Sequence, residues 1–138
     1  MASPRPSTWA TTAADAGTLN GQAFSAVENW AGNAGVDTFT LGHNVTGTVS
    51  GGAGNDLFNV NASITTTALS GGADDDSFVI ANGAVLTGSL TGDAGSDTLN
   101  LSASATATDV ALTASAADGY SGSATGIVTF TTIDVLMG

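Results

Sequence analysis

The segment Gly51-Gly52-Ala53-Gly54-Asn55-Asp56-Leu57-Phe58-Asn59-Val60 joins a glycine-aspartate turn to a short apolar alternation. Three related six-residue turns occur in the same chain: GNAGVD (32–37), GGADDD (71–76) and GDAGSD (92–97). All four turns end in an aspartate, and these aspartates are 19, 20 and 21 residues apart: Asp37, Asp56, Asp76 and Asp97. Self-similarity at this period is typical of a solenoid, in which one repeat forms one coil and buries its apolar face only against neighbouring coils.

Two apolar residues, two positions apart, follow each turn. Alternation with period two predicts a half-buried β-strand after each turn. A polar corner and a second strand complete each coil, and these second strands are predicted at 45–49, 64–69, 85–90 and 110–112. Stacking then aligns the apolar residues in two interior columns: Phe39, Phe58, Phe78 and Leu99 in one, and Leu41, Val60, Ile80 and Leu101 in the other.

The fold predicted from these patterns is all-β, a parallel β-solenoid (a β-helix or β-roll) with coils of about 20 residues and about seven coils in all. Residues 9–138 form a single solenoid domain, with four regular glycine-aspartate coils at 32–113. Residues 130–138 match residues 24–32 at a constant offset of 106, so 114–138 is interpreted as the start of a next module. Residues 1–8 are polar and carry two prolines, which indicates an extended arm or a vector-derived linker.

Composition narrows the range of partners. The 138 residues carry a formal net charge of −11, with Arg5 as the single basic residue besides His43. Nucleic acids and anionic membrane surfaces are bound mainly through Lys and Arg, so neither is an expected partner. No apolar run is long enough to insert in a membrane. With no Lys or Cys and one histidine, an enzyme is not expected.

The turns resemble the glycine-aspartate nonapeptide of RTX proteins, G-G-x-G-x-D followed by an apolar strand. Residues 51–58 match every defined position, whereas the turns at 32 and 92 lack the second glycine and Asp74 replaces the glycine of the third. The resemblance implies a single file of Ca²⁺ ions held by turn carbonyls and carboxylates of adjacent coils. The residues it assigns as ligands are Asp37, Asp56, Asp76, Asp97 and Asp74, with Gly51, Ala53, Gly71 and Ala73.

Two observations from the residues themselves bear on calcium. Stacked turns would bring carboxylates within about 5 Å of each other, and like charges that close repel unless a cation lies between them. The same aspartates could instead cap backbone donors in a metal-free solenoid, as Asp commonly does in turns. Both interpretations remain open at the level of the sequence.

The repeats are also similar to those of very large bacterial secreted and haemagglutinin-like surface proteins. This resemblance implies a structural, calcium-stabilised module of a stalk, adhesin or filament, located outside the cell or on the bacterial surface. Its expected partners are neighbouring repeats or copies of itself stacked head-to-tail, and a surface glycan is a further candidate. The alternative function is recognition of ice or glycan by a flat threonine-rich face: Thr38, Thr40, Thr46, Thr48, Thr65 and Thr67.

Overall fold

The computed structural model describes residues 4–105 and 109–138, so residues 1–3 of the predicted arm lie outside it. The described chain consists of strands, turns and bends: β1 (Thr8–Ala13), β2 (Ala16–Leu19), β3 (Gln22–Ser25), β4 (Trp30–Ala31), β5 (Thr38–Leu41), β6 (Thr48–Ala53), β7 (Leu57–Val60), β8 (Ile64–Ala73), β9 (Ser77–Ile80), β10 (Leu86–Ala94), β11 (Thr98–Asn100), β12 (Val110–Ala116), β13 (Gly119–Ala124), β14 (Ile127–Ile133) and β15 (Val135–Met137).

These strands form two sheets that enclose one core. The eight-stranded sheet has the order β15-β11-β9-β7-β5-β1-β2-β3, and the seven-stranded sheet has the order β12-β13-β14-β10-β8-β6-β4. Along the middle of the chain, successive strands alternate between the sheets and pair in parallel with the strand one coil earlier. About three coils of roughly 21 residues stack in this way, which confirms the predicted parallel β-solenoid.

The interior columns lie where the alternation predicts them. Phe39 pairs with Phe58, Phe58 with Phe78, and Phe78 with Leu99. The phenyl rings of the first two pairs stack with centroids 4.8 and 4.7 Å apart, close to the spacing of neighbouring strands. The second column, from Leu41 to Leu101, is also buried. Coil spacing therefore sets side-chain packing directly.

Small residues allow the second strands to approach each other. Gly88, at φ 139°, lies against the carbonyl oxygen of Thr66, and an added Cβ there would overlap that oxygen. A Cβ at Gly47 would overlap both Oδ1 of Asn29 and the carbonyl oxygen of Glu28. Gly88 lies within β10 and Gly47 immediately precedes β6, so both glycines lie where neighbouring coils approach each other closely.

The ends of the solenoid differ from the prediction. Residues 110–112 do not form a parallel strand. They begin β12, which pairs antiparallel with β13, and β13 pairs antiparallel with β14. On the side of β10 away from β8, the strand that pairs with it in parallel is β14. At the other end, β2 and β3 extend the eight-stranded sheet as an antiparallel meander. The prediction of about seven coils was therefore wrong, because both flanks use residues for antiparallel hairpins.

The N-terminal end of the core is closed by aromatic side chains. Phe24 contacts Trp30 and Trp9 edge-on, with centroids 4.9 and 5.9 Å apart, and Trp9 stacks between Trp30 and Phe39. The indole Nε1 of Trp30 donates to the carbonyl of Val27 at 2.8 Å. In the described residues, no helix is long and apolar enough to cross a membrane.

Replacement of Phe58 by alanine should destabilise the chain strongly. Its ring is fully buried between Phe39 and Phe78, so truncation leaves a cavity and is expected to cost about 3–5 kcal/mol of unfolding free energy. Thr40→Ser, on the outer surface of the neighbouring strand, is the control and should change this free energy by less than about 0.5 kcal/mol. Chemical denaturation measures both, and equal effects would contradict the inside/outside assignment.

Candidate functional site

The four turn aspartates form a buried column along one edge of the solenoid. Asp37, Asp56, Asp76 and Asp97 are each at most 2% exposed. Oδ1 of each later aspartate accepts the backbone N–H of the aspartate one coil earlier. These bonds measure 2.7 Å from Asp37 to Asp56, 2.7 Å from Asp56 to Asp76, and 2.9 Å from Asp76 to Asp97. The carboxylates therefore couple neighbouring coils.

The column extends beyond the four regular turns in both directions. Oδ2 of Asp134 accepts the N–H of Asp97 at 2.9 Å, so Asp134 is the next member. At the other end, the N–H of Ser7 donates to Oδ1 of Asp37, which places the arm where a preceding coil would lie. Sequence analysis did not include Asp134 among the site residues, because it follows Asp97 by 37 residues and has no glycine turn before it. The signal that could have identified Asp134 is the short apolar strand β15, which follows it as a strand follows each of the other column aspartates.

The second carboxyl oxygen of these aspartates has a different environment. Oδ2 of Asp37 accepts the N–H of Asn33 at 2.6 Å. Among the described residues, the buried Oδ2 atoms of Asp56, Asp76 and Asp97 have no hydrogen-bond partner. Each lies against the first glycine of its own turn, where an added Cβ would overlap it. A buried acceptor without a partner is costly, so these three oxygens are the unusual feature of the edge.

Burial also alters the acidity of the column. Desolvation raises the pKa of Asp56 to about 6 and the pKa of Asp76 to about 7. Desolvation raises the pKa of Asp97 as well. The hydrogen bond from the preceding backbone N–H opposes each shift, and the charge of neighbouring aspartates adds to it.

The other residues predicted as calcium ligands lie within strands or already take part in hydrogen bonds. Gly51 and Ala53 lie in β6, and Gly71 and Ala73 lie in β8, so these residues belong to the parallel ladder. The N–H of Gly54 donates both to the carbonyl of Ala73 and to Oδ2 of Asp74, each at 3.1 Å. Across the described part of the chain, no group of three or more His, Cys, Asp or Glu side chains is gathered around a point that could hold a metal ion.

The threonines proposed as a recognition face do not share one face. Thr38 and Thr40 lie in the eight-stranded sheet, whereas Thr48, Thr65 and Thr67 lie in the seven-stranded sheet. Along the first sheet, Thr40 is followed by Asn59 and Val79, so the row is also broken. The expectation of a single threonine face was therefore wrong, because consecutive strands of a coil belong to opposite sheets.

Comparison with protein-family models, curated proteins and solved structures found no match to this chain. The similarity to RTX repeats therefore depends on the turn motifs alone.

Replacement of Gly51 by alanine tests the close contact between the turn glycine and Asp56. The new methyl group would overlap Oδ2 of Asp56 and crowd the carbonyl of Gly71, so a loss of more than about 2 kcal/mol of unfolding free energy is expected. Gly42→Ala is the matched control, because the nearest atom to its added Cβ is 3.9 Å away. If thermal melts show equal losses for the two variants, the turn is less tightly packed than this geometry requires.

In chelator, the protein should become more stable as the pH falls from 8 towards 5. The folded-state pKa values of Asp56 and Asp76, about 6 and about 7, lie above the ordinary aspartate value of 3.8, so the folded state binds protons in this window more readily than the unfolded state. The stabilisation is fully present below 3.8 and is lost as the pH rises through 6 to 7. Asp76→Asn keeps the acceptor and removes the charge, and thermal melts should show a smaller pH dependence for this variant.

Proposed function

We propose that this chain is a structural β-solenoid module of a large secreted or cell-surface bacterial protein, and that Ca²⁺ stabilises it at the aspartate edge. The observation that carries the proposal is the row of buried, unpartnered Oδ2 atoms on Asp56, Asp76 and Asp97. These are hard anionic oxygens, the donor type that Ca²⁺ prefers. A bound cation would supply the missing partner for each of them.

The charge distribution supports the same proposal. The carboxylates repeat at the coil spacing, so Asp56, Asp76 and Asp97 each have a like charge on either side at about 5 Å. Exposed acids lie beside the column: Asp74, Asp75 and Asp93. Like charges at this density raise the free energy of the folded state unless protons or cations neutralise them. At neutral pH, a divalent cation neutralises two carboxylates at once.

The hydrogen bonds between coils limit the oxygens that the column could offer to a cation. Oδ1 of each aspartate already accepts a backbone hydrogen bond, so each coil has one free carboxyl oxygen to contribute. Each of Asp56, Asp76 and Asp97 would contribute Oδ2 to a cation at its own coil, and turn carbonyls or water would supply the other ligands, because these carboxylates do not gather around one point among the described residues. Because these side chains are buried, Ca²⁺ would enter as the chain folds, and its removal by chelator would be slow.

Rigidity is the property that this architecture supplies. Continuous parallel sheets and stacked interior rings connect every coil to the next one. A solenoid of this kind is extended and stiff along its axis. A stalk, adhesin or filament segment requires both properties.

Calcium should raise the melting temperature, and Asp76→Asn should reduce that response. In excess EDTA the variant should be more stable than wild type at pH 8, since it lacks a buried charge. In millimolar Ca²⁺ the order should reverse, because the variant lacks a donor oxygen. Calorimetry with and without Ca²⁺, together with metal analysis of the protein, makes the comparison.

Asp109→Asn is the matched control, because Asp109 is exposed and lies outside the column. It should keep the full response to calcium. Absence of bound metal and of any calcium-dependent shift in wild type would contradict the calcium proposal and leave protonation as the means by which the column is neutralised.

A further inference from the structure

The second carboxyl oxygens of the four turn aspartates occupy the same place but do not have the same partners. In each turn, Oδ2 lies against the first glycine, where an added Cβ would overlap it. Oδ2 of Asp37 nevertheless accepts a hydrogen bond, from the backbone N–H of Asn33 at 2.6 Å. Among the described residues, the corresponding oxygens of Asp56, Asp76 and Asp97 have no partner. The first turn therefore satisfies its own carboxylate, and the other three turns do not.

The residue that follows the first glycine separates these two kinds of turn. Gly52, Gly72 and Asp93 hold this position in the later turns, and their φ angles are positive, at 110°, 118° and 71°. They continue the parallel ladder, in which Gly52 pairs with Gly72 and Gly72 pairs with Asp93. Asn33 has a negative φ and lies outside the strands, since β4 ends at Ala31. Its backbone N–H is directed inward, to the carboxylate of its own turn.

The side chain of Asn33 completes this arrangement. Its Nδ2 donates to Oδ1 of Asp37 at 3.2 Å, and also to the carbonyl of Arg5 at 2.9 Å and to Oγ of Ser7 at 2.7 Å. Its Oδ1 accepts the N–H of Gly35 at 2.8 Å, which is the hydrogen bond of an Asx turn. Both oxygens of Asp37 therefore accept N–H groups, and this buried carboxylate is satisfied within the chain.

We propose that the residue after the first glycine determines which turns bind a cation, and that Asn33 replaces the cation in the first turn. This inference rests on the calcium proposal above and limits it to three sites, at Asp56, Asp76 and Asp97. It separates Asp37 from the calcium ligands that the turn motif implies.

The hydrogen bonds of the turns give the physical reason. N–H groups of Asn33 and Ser7 direct the positive ends of their dipoles at both oxygens of Asp37, so this carboxylate is stabilised as an anion without a metal. In the later turns, the N–H at the same position does not reach the aspartate. The N–H of Asp93, for example, donates to Oγ1 of Thr132 at 2.8 Å. A buried anionic oxygen without a donor is costly, so only these turns require a cation.

Asp37→Asn and Asp76→Asn should therefore have opposite effects on stability in EDTA at pH 8. Asp37→Asn places an amide before N–H donors, so it should lower the melting temperature by at least about 4 °C, in EDTA and in millimolar Ca²⁺ alike. Its calcium-dependent increase in melting temperature should stay within about 2 °C of the wild-type value. Asp76→Asn should melt above wild type in EDTA and should lose one of the three bound ions. Calorimetry and metal analysis measure these quantities.

Asn33→Gly tests the position without altering an aspartate. Glycine can adopt the positive φ of the later turns, and Oδ2 of Asp37 then lacks its donor. Bound calcium should increase from three to four ions per chain, one for each unpartnered Oδ2, and the calcium-dependent increase in melting temperature should become larger. Asn55→Gly is the matched control, because Asn55 is exposed and lies at the fifth position of the second turn. It should leave both quantities unchanged, and circular dichroism verifies that the variants fold.

The outcomes separate this inference from the calcium proposal on which it rests. Three bound ions in wild type, an unchanged calcium response in Asp37→Asn and a fourth ion in Asn33→Gly would support both. In a wild-type protein that binds calcium, loss of the response in Asp37→Asn would overturn the inference and leave the calcium proposal standing. Identical behaviour of Asn33→Gly and Asn55→Gly would have the same consequence. A wild-type protein with no bound metal and no calcium-dependent shift would overturn both.

Discussion

One hydrogen bond, repeated once per coil, couples the coils of this structure at their turn edge. An aspartate Oδ1 in each later turn accepts the backbone N–H of the aspartate one coil earlier. This N–H lies where the chain leaves one sheet for the other, and a buried donor without an acceptor would be costly there. A carboxylate supplies the acceptor, and it also brings a charge into the interior. The same aspartate side chain therefore joins neighbouring coils and places a buried negative charge at this edge.

The glycine at the start of each turn follows from that arrangement. Once the carboxyl group folds inward, its second oxygen occupies the space that a side chain at the first turn position would need. Gly32, Gly51, Gly71 and Gly92 leave this space free. Glycine and aspartate thus recur together for a packing reason that holds with or without a metal. The calcium proposal is separate from this packing reason, and it depends on the carboxyl oxygen that the hydrogen bond leaves unused.

Periodicity was sufficient to predict the middle of the molecule from its sequence. Phe39, Phe58, Phe78 and Leu99 recur at the coil length, and the structure stacks them in register. The flanks were not predictable in this way, because antiparallel hairpins such as β12–β13 have the same alternation as solenoid strands. The match at an offset of 106 pairs Phe24 in β3 with Phe130 in β14, and these strands belong to different sheets. Asp134 was missed because the hairpin separates it from Asp97.

The hairpins also make the two ends unlike. At the N-terminal end, Phe24 folds over Gly17, and the lack of a side chain at Gly17 lets its ring reach Trp30. At the C-terminal end, β12 projects past β15, and aliphatic residues line the gap. Aromatic side chains therefore cover the core at the N-terminal end, whereas the C-terminal end is a step between the last strands of the two sheets, β15 and β12.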